Sequence, residues 1–386
     1  MVESRWLRWI GPGVVALGAV GFIASTTFGA GPRPWTPRAC AGSPAERIAA
    51  AKDVHAPTGA SVRGAPWFRL DPVLDGSGAL RGQRLAVGQI GDPIPRTLDL
   101  AAESFAAGPF GHLVLVGSDD GSKSRLEALD VGSGCSWAIA EERSVIRRAT
   151  IDPAGSAVYE VRVDRATRAD LGVWLRPADG PVPARRILGP LMPDPRFGRT
   201  FSTEFAWDLA GDRLAVQSCG EIACRTRIIS GLGGRPRTLD GPDLGPLVGL
   251  DGDRVVTYEA CRGLPCPIVS IDLTTGARRV LASDAGLAVL VSTPNGARLV
   301  HEARLGAGLR LRSVALDSGD ATDLGPIPDD LRLHPSADRA AAATRTPRGW
   351  VLLVADARMP ADGHSGHPQL RRIPDGATVP LDEASR

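Results

Sequence analysis

Two pairs of cysteines are the residues whose spacing most clearly implies chemistry. The chain reads CGEIAC from Cys219 to Cys224 and CRGLPC from Cys261 to Cys266. Four thiolates in two close pairs could hold a zinc ion, because such short spacers are common in zinc sites. The spacing also suits a disulfide across a β-hairpin, where the residues that flank the loop face each other. In an exported chain we favour the disulfides Cys219–Cys224 and Cys261–Cys266 over zinc.

The other two cysteines, Cys40 and Cys135, lie far apart in the sequence. Once the four close cysteines are paired among themselves, the disulfide Cys40–Cys135 follows by elimination. This bond would tie the N-terminal segment to the first part of the folded body. An oxidising compartment favours all three disulfides.

No other set of residues leads us to predict a metal, a cofactor or a catalytic residue. His364 and His367 form an H-x-x-H pattern in a turn-rich loop, but a metal ion needs a third ligand and only Asp362 is near. We interpret this loop as solvated. The sequence contains no Gly-x-Ser-x-Gly elbow, phosphate-binding loop or dinucleotide fingerprint.

Several polar and aromatic residues have a structural explanation that needs no chemistry. Asp152, Asp208 and Asp251 stand where strands are expected to begin, and aspartate in a turn binds the backbone of that turn. The stretch GSDDGSKS (117–124) resembles a calcium loop in composition only, so we predict a hairpin tip. The remaining candidates are expected to be surface, hydrogen-bonded or packing residues: His301, His334, Trp137, Trp174, Trp207 and Trp350.

Composition indicates the elements that carry these residues. The 386 residues include 46 glycines and 32 prolines, scattered along the chain rather than collected in one tract. Scattered turn formers between short apolar runs favour many strands. The 45 basic and 43 acidic residues leave a net charge of +2, which gives no field that would attract nucleic acid. We therefore expect an all-β protein without a nucleic-acid partner.

The first 30 residues have the pattern of a targeting segment. Residues 9–30 carry no charge, follow two arginines and are about long enough to span a bilayer as a helix. Two alternatives remain open, a retained single-span anchor and a cleaved signal peptide. Either alternative would place residues 31–386 outside the cytoplasm, anchored to the membrane or secreted.

A repeat of a little over 40 residues organises the rest of the chain. The two cysteine pairs begin 42 residues apart, and GDRLAVQS (211–218) before the first pair matches GDRVVTYE (252–259) before the second. Alternating strands bounded by regular turn signals are typical of half-buried antiparallel sheets. Periods of about 40–45 residues are typical of β-propeller blades, each a four-stranded sheet. Both cysteine pairs then lie at the hairpin between the second and third strands of a blade.

Three turns of this repeat resemble a known family. DPAGSAVY, DLAGDRLAV and TPNGARLVH are similar to the Ser-Pro-Asp-Gly-Lys-x-Ile-Ala-Phe turn of TolB-like, WD-repeat-like bacterial propellers. The resemblance covers roughly residues 105–345. It implies a β-propeller, which has six blades in the best-known form of the family and mostly binds other proteins at its face. The shared motif is structural, so the resemblance implies no catalytic residue.

Six blades are the preferred prediction, and seven blades are the alternative. We expect both ends of the chain to close the ring, with residues 81–101 pairing beside C-terminal strands at 348–357 and 377–381, because closure removes exposed sheet edges. The predicted propeller spans residues 67–386. An Ala- and Pro-rich tether at 31–66 precedes it.

Three functions are compatible with this architecture. The preferred one is a monomeric, non-catalytic binding module outside the cytoplasm, whose propeller face binds a cell-envelope protein or a glycan. The alternatives are a propeller enzyme, either a hydrolase or a lyase with a site near the central channel, and a structural or sensory ectodomain. No cofactor is expected for any of them.

Overall fold

The computed structural model describes most of the chain between residues 33 and 380. The described residues are 33–53, 66–77, 79–89, 96–101, 104–110, 112–191, 202–208, 213–219, 224–230, 237–241, 244–260, 264–306, 308–328, 331–333, 342–344, 350–355, 369–373 and 376–380. In this part of the chain no helix is long and apolar enough to cross a membrane. The predicted anchor or signal peptide, residues 9–30, lies outside the described residues.

Strands make up most of the described chain, which confirms the all-β prediction. The first elements are β1 (Arg33–Pro34), β2 (Arg38–Ala39), α1 (Pro44–Asp53), β3 (Pro66–Leu74), β4 (Leu80–Gln89), β5 (Arg96–Ala101), β6 (Phe105–Phe110), β7 (Leu113–Asp119), β8 (Ser124–Asp130) and β9 (Cys135–Glu142). The next are β10 (Val145–Ile151), β11 (Ala157–Val163), β12 (Asp170–Pro177), β13 (Arg185–Leu188), β14 (Ser202–Trp207), β15 (Arg213–Cys219), β16 (Cys224–Ser230), β17 (Arg237–Gly241), β18 (Leu244–Asp251), β19 (Arg254–Glu259), β20 (Cys266–Asp272) and β21 (Arg278–Ala285). The last are β22 (Ala288–Thr293), β23 (Gly296–Leu305), β24 (Gly308–Ala315), β25 (Ala321–Pro326), β26 (Leu331–Leu333), β27 (Ala342–Thr344), β28 (Trp350–Ala355), β29 (Gln369–Arg372) and β30 (Thr378–Pro380).

Within the described ranges these strands form seven sheets, numbered here along the chain. Sheets 3, 4, 5 and 6 each consist of four consecutive antiparallel strands, β10 to β13, β14 to β17, β18 to β21 and β22 to β25. Sheet 1 has the order β1-β5-β4-β3-β27, sheet 2 the order β2-β9-β8-β7-β6 and sheet 7 the order β26-β28-β29-β30. The inner strands of sheets 1 to 6 contact one another in turn, since β27 meets β6, β6 meets β10, and so on to β22. The repeat in the sequence therefore corresponds to one sheet after another.

The alternation of side chains along each strand builds the core between the sheets. In β11, Val158 packs with residues of sheet 2, while Tyr159 and Val161 pack with residues of sheet 4. Successive side chains of a strand point to opposite faces, so one strand of each sheet serves two interfaces. Each fully buried Val, Leu or Ile contributes about 1.5–3 kcal/mol to folding. The stability of the molecule therefore comes from the boundaries between neighbouring sheets.

The two chain ends meet in sheet 1, although not with the strands expected from the sequence. The inner strand β27 pairs antiparallel with β3, and Ala343 lies opposite Phe68. The predicted partners of 81–101, at 348–357 and 377–381, form sheet 7 with β26 instead. The chain thus passes from sheet 7 into sheet 1 and returns to sheet 7. This crossing was missed because β27 is a three-residue strand within an Ala-rich stretch that has no alternating pattern.

The N-terminal segment folds against sheets 1 and 2. Strand β1 pairs in parallel with β5, and β2 pairs in parallel with β9. Helix α1 begins with a capping box, in which Ser43 Oγ accepts a hydrogen bond from the backbone nitrogen of Glu46 at 3.3 Å and Glu46 Oε2 accepts one from the backbone nitrogen of Ser43 at 3.0 Å. Arg47 of this helix binds Asp130 at 3.0 Å, and Ile48 is buried in the core against sheet 2. Through these contacts α1 is packed on sheet 2.

Two of the three predicted disulfides lie in the described residues. Cys219 and Cys224 are opposed across the β15–β16 hairpin and form a disulfide, with their Cα atoms 4.0 Å apart. Cys40 and Cys135 form a second disulfide, which fixes β2 to β9. Cys266 is buried at the start of β20, and its predicted partner Cys261 lies outside the described residues. The interpretation as disulfides rather than zinc ligands is therefore confirmed for two pairs.

Candidate functional site

Neighbouring sheets meet at seams, a term used here for the boundary where the fourth strand of one sheet faces the second and third strands of the next. At the seam between sheets 2 and 3, four ionisable side chains form a group that we call the ion cluster: Glu142, Glu160, Arg162 and Arg176. Glu142 ends β9, while the other three lie on β11 and β12. The side chain of Glu160 is completely buried, and those of the two arginines are 5% and 2% exposed.

Each charge of the ion cluster has a partner of opposite sign. Arg162 Nη2 donates to Glu160 Oε2 at 2.6 Å and to Glu142 Oε1 at 2.9 Å. Arg176 Nε donates to Glu160 Oε1 at 2.5 Å, and Arg176 Nη2 donates to Glu142. Burial by itself lowers the pKa of Arg176, but the hydrogen bonds with Glu160 and Glu142 outweigh it and raise that pKa. The guanidinium of Arg162 also lies over Trp174, 4.6 Å from the ring centre.

A second ion pair strengthens the same seam at the hairpin tips. Arg165 follows β11, and its Nη1 and Nη2 atoms donate to the two carboxylate oxygens of Asp119 in sheet 2 at 2.7 and 2.8 Å. The hydrogen bonds from Arg165, together with those from Ser124 and the backbone of Gly121, lower the pKa of Asp119 to about 2. The seam between sheets 2 and 3 is therefore closed by charges along its length.

The corresponding seam between sheets 5 and 6 is open and contains a cavity of about 470 Å³. Its walls are the fourth strand of sheet 5, β21, and the strands β23, β24 and β25 of sheet 6. This volume falls within the usual range of small-molecule sites. The cavity is the candidate functional site of the described chain.

The pairing register explains why this seam is open. In sheet 3, Val158 lies opposite Arg176 and Glu160 lies opposite Trp174. In sheet 6, Leu299 takes the place of Val158 in the repeat, with Val314 opposite it.

The next positions on the same face of these strands also correspond between sheets 3 and 6. His301, opposite Arg312, takes the place of Glu160, and Ala303 takes the place of Arg162. Two long arginine side chains of the ion cluster are thus replaced by the short side chains of Ala303 and Val314. Both of these residues line the cavity.

His301 is the buried titratable group of the cavity. Its side chain is almost fully buried, and its Nδ1 atom lies 3.0 Å from the backbone oxygen of Glu302. Burial lowers the pKa of His301, and the positive charge of Arg312 lowers it further. The imidazole is therefore neutral at pH 7 and can donate or accept a hydrogen bond.

Charged and apolar groups surround this imidazole. Arg304, Arg312 and Asp284 line the cavity, so its wall includes two positively charged residues and one negatively charged residue. Val280 and Leu305 also line it and remain 58% and 47% exposed. Large exposed apolar side chains beside unneutralised charge are a common feature of binding sites. The arrangement suits a ligand that carries both an anionic group and an apolar group.

The inner strands carry charges of their own. Arg148 lies on β10 with its guanidinium carbon 5.9 Å from the ring centre of Phe105 on β6. Glu204 lies on β14, and Arg332 lies on β26. All three charged residues are only partly buried. The central side of the ring therefore contains both signs of charge.

Two of the three aspartates predicted to serve turns, Asp152 and Asp208, do so. Asp152 accepts hydrogen bonds from the backbone nitrogens of Ser156 and Ala157 at 2.6 and 3.0 Å. Asp208 Oδ1 lies 3.3 Å from the backbone nitrogen five residues later. Asp251 ends β18, and burial raises its pKa. None of the three lines the cavity.

The stretch 117–124 is a hairpin tip, as predicted. Asp120 Oδ1 accepts hydrogen bonds from the backbone nitrogens of Ser122 and Lys123 at 2.9 and 2.8 Å. These bonds tighten the turn between β7 and β8, so the carboxylate serves the backbone of its own loop.

Three of the four tryptophans predicted to pack are found at sheet boundaries. Trp137 packs against the core between sheets 2 and 3, and Trp207 meets Tyr159 edge-on with the ring centres 5.3 Å apart. Trp174 lies beneath Arg162, and Trp350 begins β28. The histidines His334, His364 and His367 lie outside the described residues.

The architecture is matched by solved β-propellers. The propeller domain of the Trilobed protease from Pyrococcus furiosus is 10% identical over 84% of this chain and 94% of that domain, with a TM-score of 0.51. A puromycin-hydrolysing peptidase of Mycobacterium tuberculosis is 14% identical over 92% of this chain and 57% of that one, with a TM-score of 0.51.

TolB from Acinetobacter baumannii is also similar, at 14% identity over 68% of this chain and 64% of TolB, with a TM-score of 0.44. The chain has the fold of a β-propeller, which confirms at the level of the fold the resemblance to TolB-like propellers. No protein-family model matches the sequence. No curated protein matches it either.

The preferred function expected from the sequence, a non-catalytic binding module, is wrong in view of these similarities. The matched propellers belong mostly to peptidases, including oligopeptidase B from Leishmania major and prolyl oligopeptidase B from Galerina marginata. These similarities agree better with the alternative expected from the sequence, a propeller enzyme, than with the binding module. This chain spans 51–57% of the length of those peptidases, so it corresponds to about half of each.

Proposed function

We propose that this chain is the propeller of a peptide-hydrolysing enzyme. The observation that supports the proposal is the match of 87–92% of the chain to peptidases that contain a propeller, at TM-scores of 0.50–0.54. A second support is the cavity at the seam between sheets 5 and 6, which combines apolar walls, guanidinium groups and a neutral imidazole. Peptides carry the complementary groups, namely carboxylates, apolar side chains and backbone amides.

The role of the described residues in this enzyme is to select and hold the peptide. We assign the hydrolysis of the peptide bond to the complete enzyme and to none of the described residues. Charged residues on inner strands, such as Arg148 and Glu204, offer a second place for contact with a peptide, near the central channel expected of a hydrolase. The two disulfides are compatible with an extracytoplasmic location. We propose that the enzyme acts there, delivered by residues 9–30 as an anchor or a signal peptide, and that the chain is monomeric.

We also propose that each of the seven sheets is one blade. The support for seven blades rather than six is the presence of seven sheets within the described residues, of which sheets 1 to 6 have inner strands that contact one another in turn. Residues 67–386 would then form the ring. Residues 31–66 would form the segment that leads into it.

Deletion of the gene for this chain tests the peptidase proposal. The extracytoplasmic fraction of deleted cells is incubated with a panel of peptides of different lengths, and the products are identified by mass spectrometry. We expect slower hydrolysis or fewer cleavage sites than in unmodified cells, restored by the full chain supplied from a plasmid. Identical rates and identical cleavage sites with and without the chain would reject the proposal.

A further inference from the structure

We infer that the cavity between sheets 5 and 6 binds the free C-terminal residue of a peptide, with an apolar side chain. The inference rests on the proposed function for the choice of a peptide. The binding geometry rests on the cavity alone.

The first argument is charge. Within the described part of the chain, Arg304 and Arg312 line the cavity without an ion pair of their own, whereas the neighbouring Arg310 is bound to Asp323 at 2.7 Å. Asp284 supplies one negative charge at the same cavity. Two positive charges against one negative charge leave an excess of +1, which one carboxylate would neutralise. Arginine binds carboxylates through paired hydrogen bonds, so a guanidinium is well suited to this task.

The second argument is the neutral state of His301. A protonated imidazole would add a third positive charge, but burial keeps this one neutral. A neutral imidazole can form a hydrogen bond with the amide or the carboxylate of a ligand, and it adds no charge to the cavity. The specific charge contact therefore falls to the arginines, and the cavity is matched to a single carboxylate.

The third argument is shape. Val280 and Leu305 are two of the large apolar residues that remain exposed in the described chain, and both belong to this cavity. Their exposure is relieved when an apolar side chain of a ligand covers them. At about 470 Å³ the cavity has room for one or two amino-acid residues.

The test uses N-acetyl-leucine and N-acetyl-leucinamide as probes, with the full chain and isothermal titration calorimetry. The two probes differ only in the carboxylate, and neither contains a bond between two amino-acid residues. We expect N-acetyl-leucine to bind at least tenfold more tightly than the amide, since one charged contact is worth about 1.4 kcal/mol or more. Sodium acetate, which has the carboxylate alone, is expected to bind much more weakly than N-acetyl-leucine.

Two variants locate the binding. Arg312→Gln should weaken the binding of N-acetyl-leucine by about tenfold. Arg310→Gln changes a residue on the same strand but outside the cavity, and it should leave this affinity unchanged. Ala303→Leu should abolish binding by filling the cavity, and a thermal unfolding scan would verify that this variant is folded. Equal binding of acid and amide, no binding of either probe, or full binding by Arg312→Gln would overturn the inference.

The outcomes separate this inference from the proposed function. Binding of N-acetyl-leucine that depends on Arg312, together with unchanged peptide hydrolysis in deleted cells, would keep the site and reject the peptidase role. Altered hydrolysis without binding of the probe would reject the site and keep the role.

Discussion

The seam between sheets 2 and 3 and the seam between sheets 5 and 6 have the same backbone arrangement and opposite contents. In the first, Glu160 and Arg162 fill the boundary with paired charges. In the second, His301 and Ala303 occupy the matching positions and leave a cavity of about 470 Å³. The repeat thus defines where strands lie, while the residues at two or three positions of each seam decide whether the boundary is filled or contains a cavity.

The two seams also differ in what they tolerate. A buried ion pair gives little net stability when complete but costs much when one partner is removed, because the other charge is left without compensation. The small side chains that line a cavity make few packing contacts with one another. A substitution there therefore lowers the stability of the protein less, and a larger apolar side chain can even raise it. The following changes use this contrast.

The largest effect is expected from Glu160→Ala in the ion cluster. The change leaves Arg162 and Arg176 buried with only the partly exposed Glu142 as their partner. We expect the free energy of unfolding to fall by about 3–5 kcal/mol, measured by urea denaturation of the oxidised protein. Glu141→Ala, at the exposed carboxylate that precedes Glu142 in sequence, is the matched control and should change the free energy of unfolding by less than about 1 kcal/mol.

Replacing the buried charges together sharpens this result. The triple variant Glu160→Leu, Arg162→Met and Arg176→Met should unfold at a higher urea concentration than Glu160→Ala alone, because no buried arginine remains. A triple variant that is less stable than the single variant would show that the attraction between the buried charges adds net stability to the seam, beyond the neutralisation of each charge by its partner.

Asp119→Asn is the second change and weakens the closed seam at its hairpin tips. Loss of the charged contact with Arg165 should lower the free energy of unfolding at pH 7 by about 2 kcal/mol. The folded pKa of about 2 lies below the ordinary value of 3.8, so this contribution is present above about pH 4 and is lost as the pH falls toward 2. The measurement is the difference in unfolding free energy between the two proteins from pH 7 to pH 2, which should shrink with acidification.

Ala303→Leu is the third change and acts on the open seam with the opposite sign. Filling part of the cavity with apolar atoms should raise the free energy of unfolding by about 0.5–2 kcal/mol. Thermal unfolding of the variant and the unmodified protein would measure it. Destabilisation by more than 1 kcal/mol would mean that the side chains around Ala303 are already closely packed and that the seam is not open.

His301→Gln is expected to have the smallest effect, visible mainly in the pH dependence. The folded pKa of His301 is lowered by burial, so below about pH 6.5 the unfolded chain binds a proton that the folded chain does not. Stability should therefore fall as the pH decreases from 7 to 5, and the variant should lose this part of the decline. Arg312 and Asp284 face the same cavity and remain in both proteins, so the difference between them reports His301 alone.

Much of the fold could be predicted from the sequence because its signals are local. The period of about 42 residues, the turn residues and the strand alternation each depend on short stretches, and they led to the sheets and to the hairpin disulfide Cys219–Cys224. The crossing of β27 into sheet 1 depends on contacts between residues nearly 280 positions apart and has no local pattern. The disulfide Cys40–Cys135 was predicted to attach the N-terminal segment to the body, but the parallel pairing of β1 with β5 and of β2 with β9 was missed for the same reason.

The seams were harder to predict than the strands. A signal was present, since YEVRV (159–163) places Glu160 and Arg162 at alternating positions of a strand that is otherwise apolar. Such a pair should have indicated buried charges that compensate one another. His301 was expected to be a surface or hydrogen-bonded residue, and it is indeed hydrogen-bonded to the backbone of Glu302. The cavity beside His301 could not be predicted from the sequence. It forms because sheet 6 has the short side chains of Ala303 and Val314 where sheet 3 has two arginines.

The passage of the chain from sheet 7 into sheet 1 has a consequence for biosynthesis. On the ribosome, β3, β4 and β5 emerge early, but the strand that covers β3 is made only when residue 344 has been added. The nascent chain therefore carries an uncovered strand edge through most of its translation, a state in which edges are prone to pair wrongly with other chains. A premature stop codon before residue 342 would leave the first sheet unfinished as well as the last.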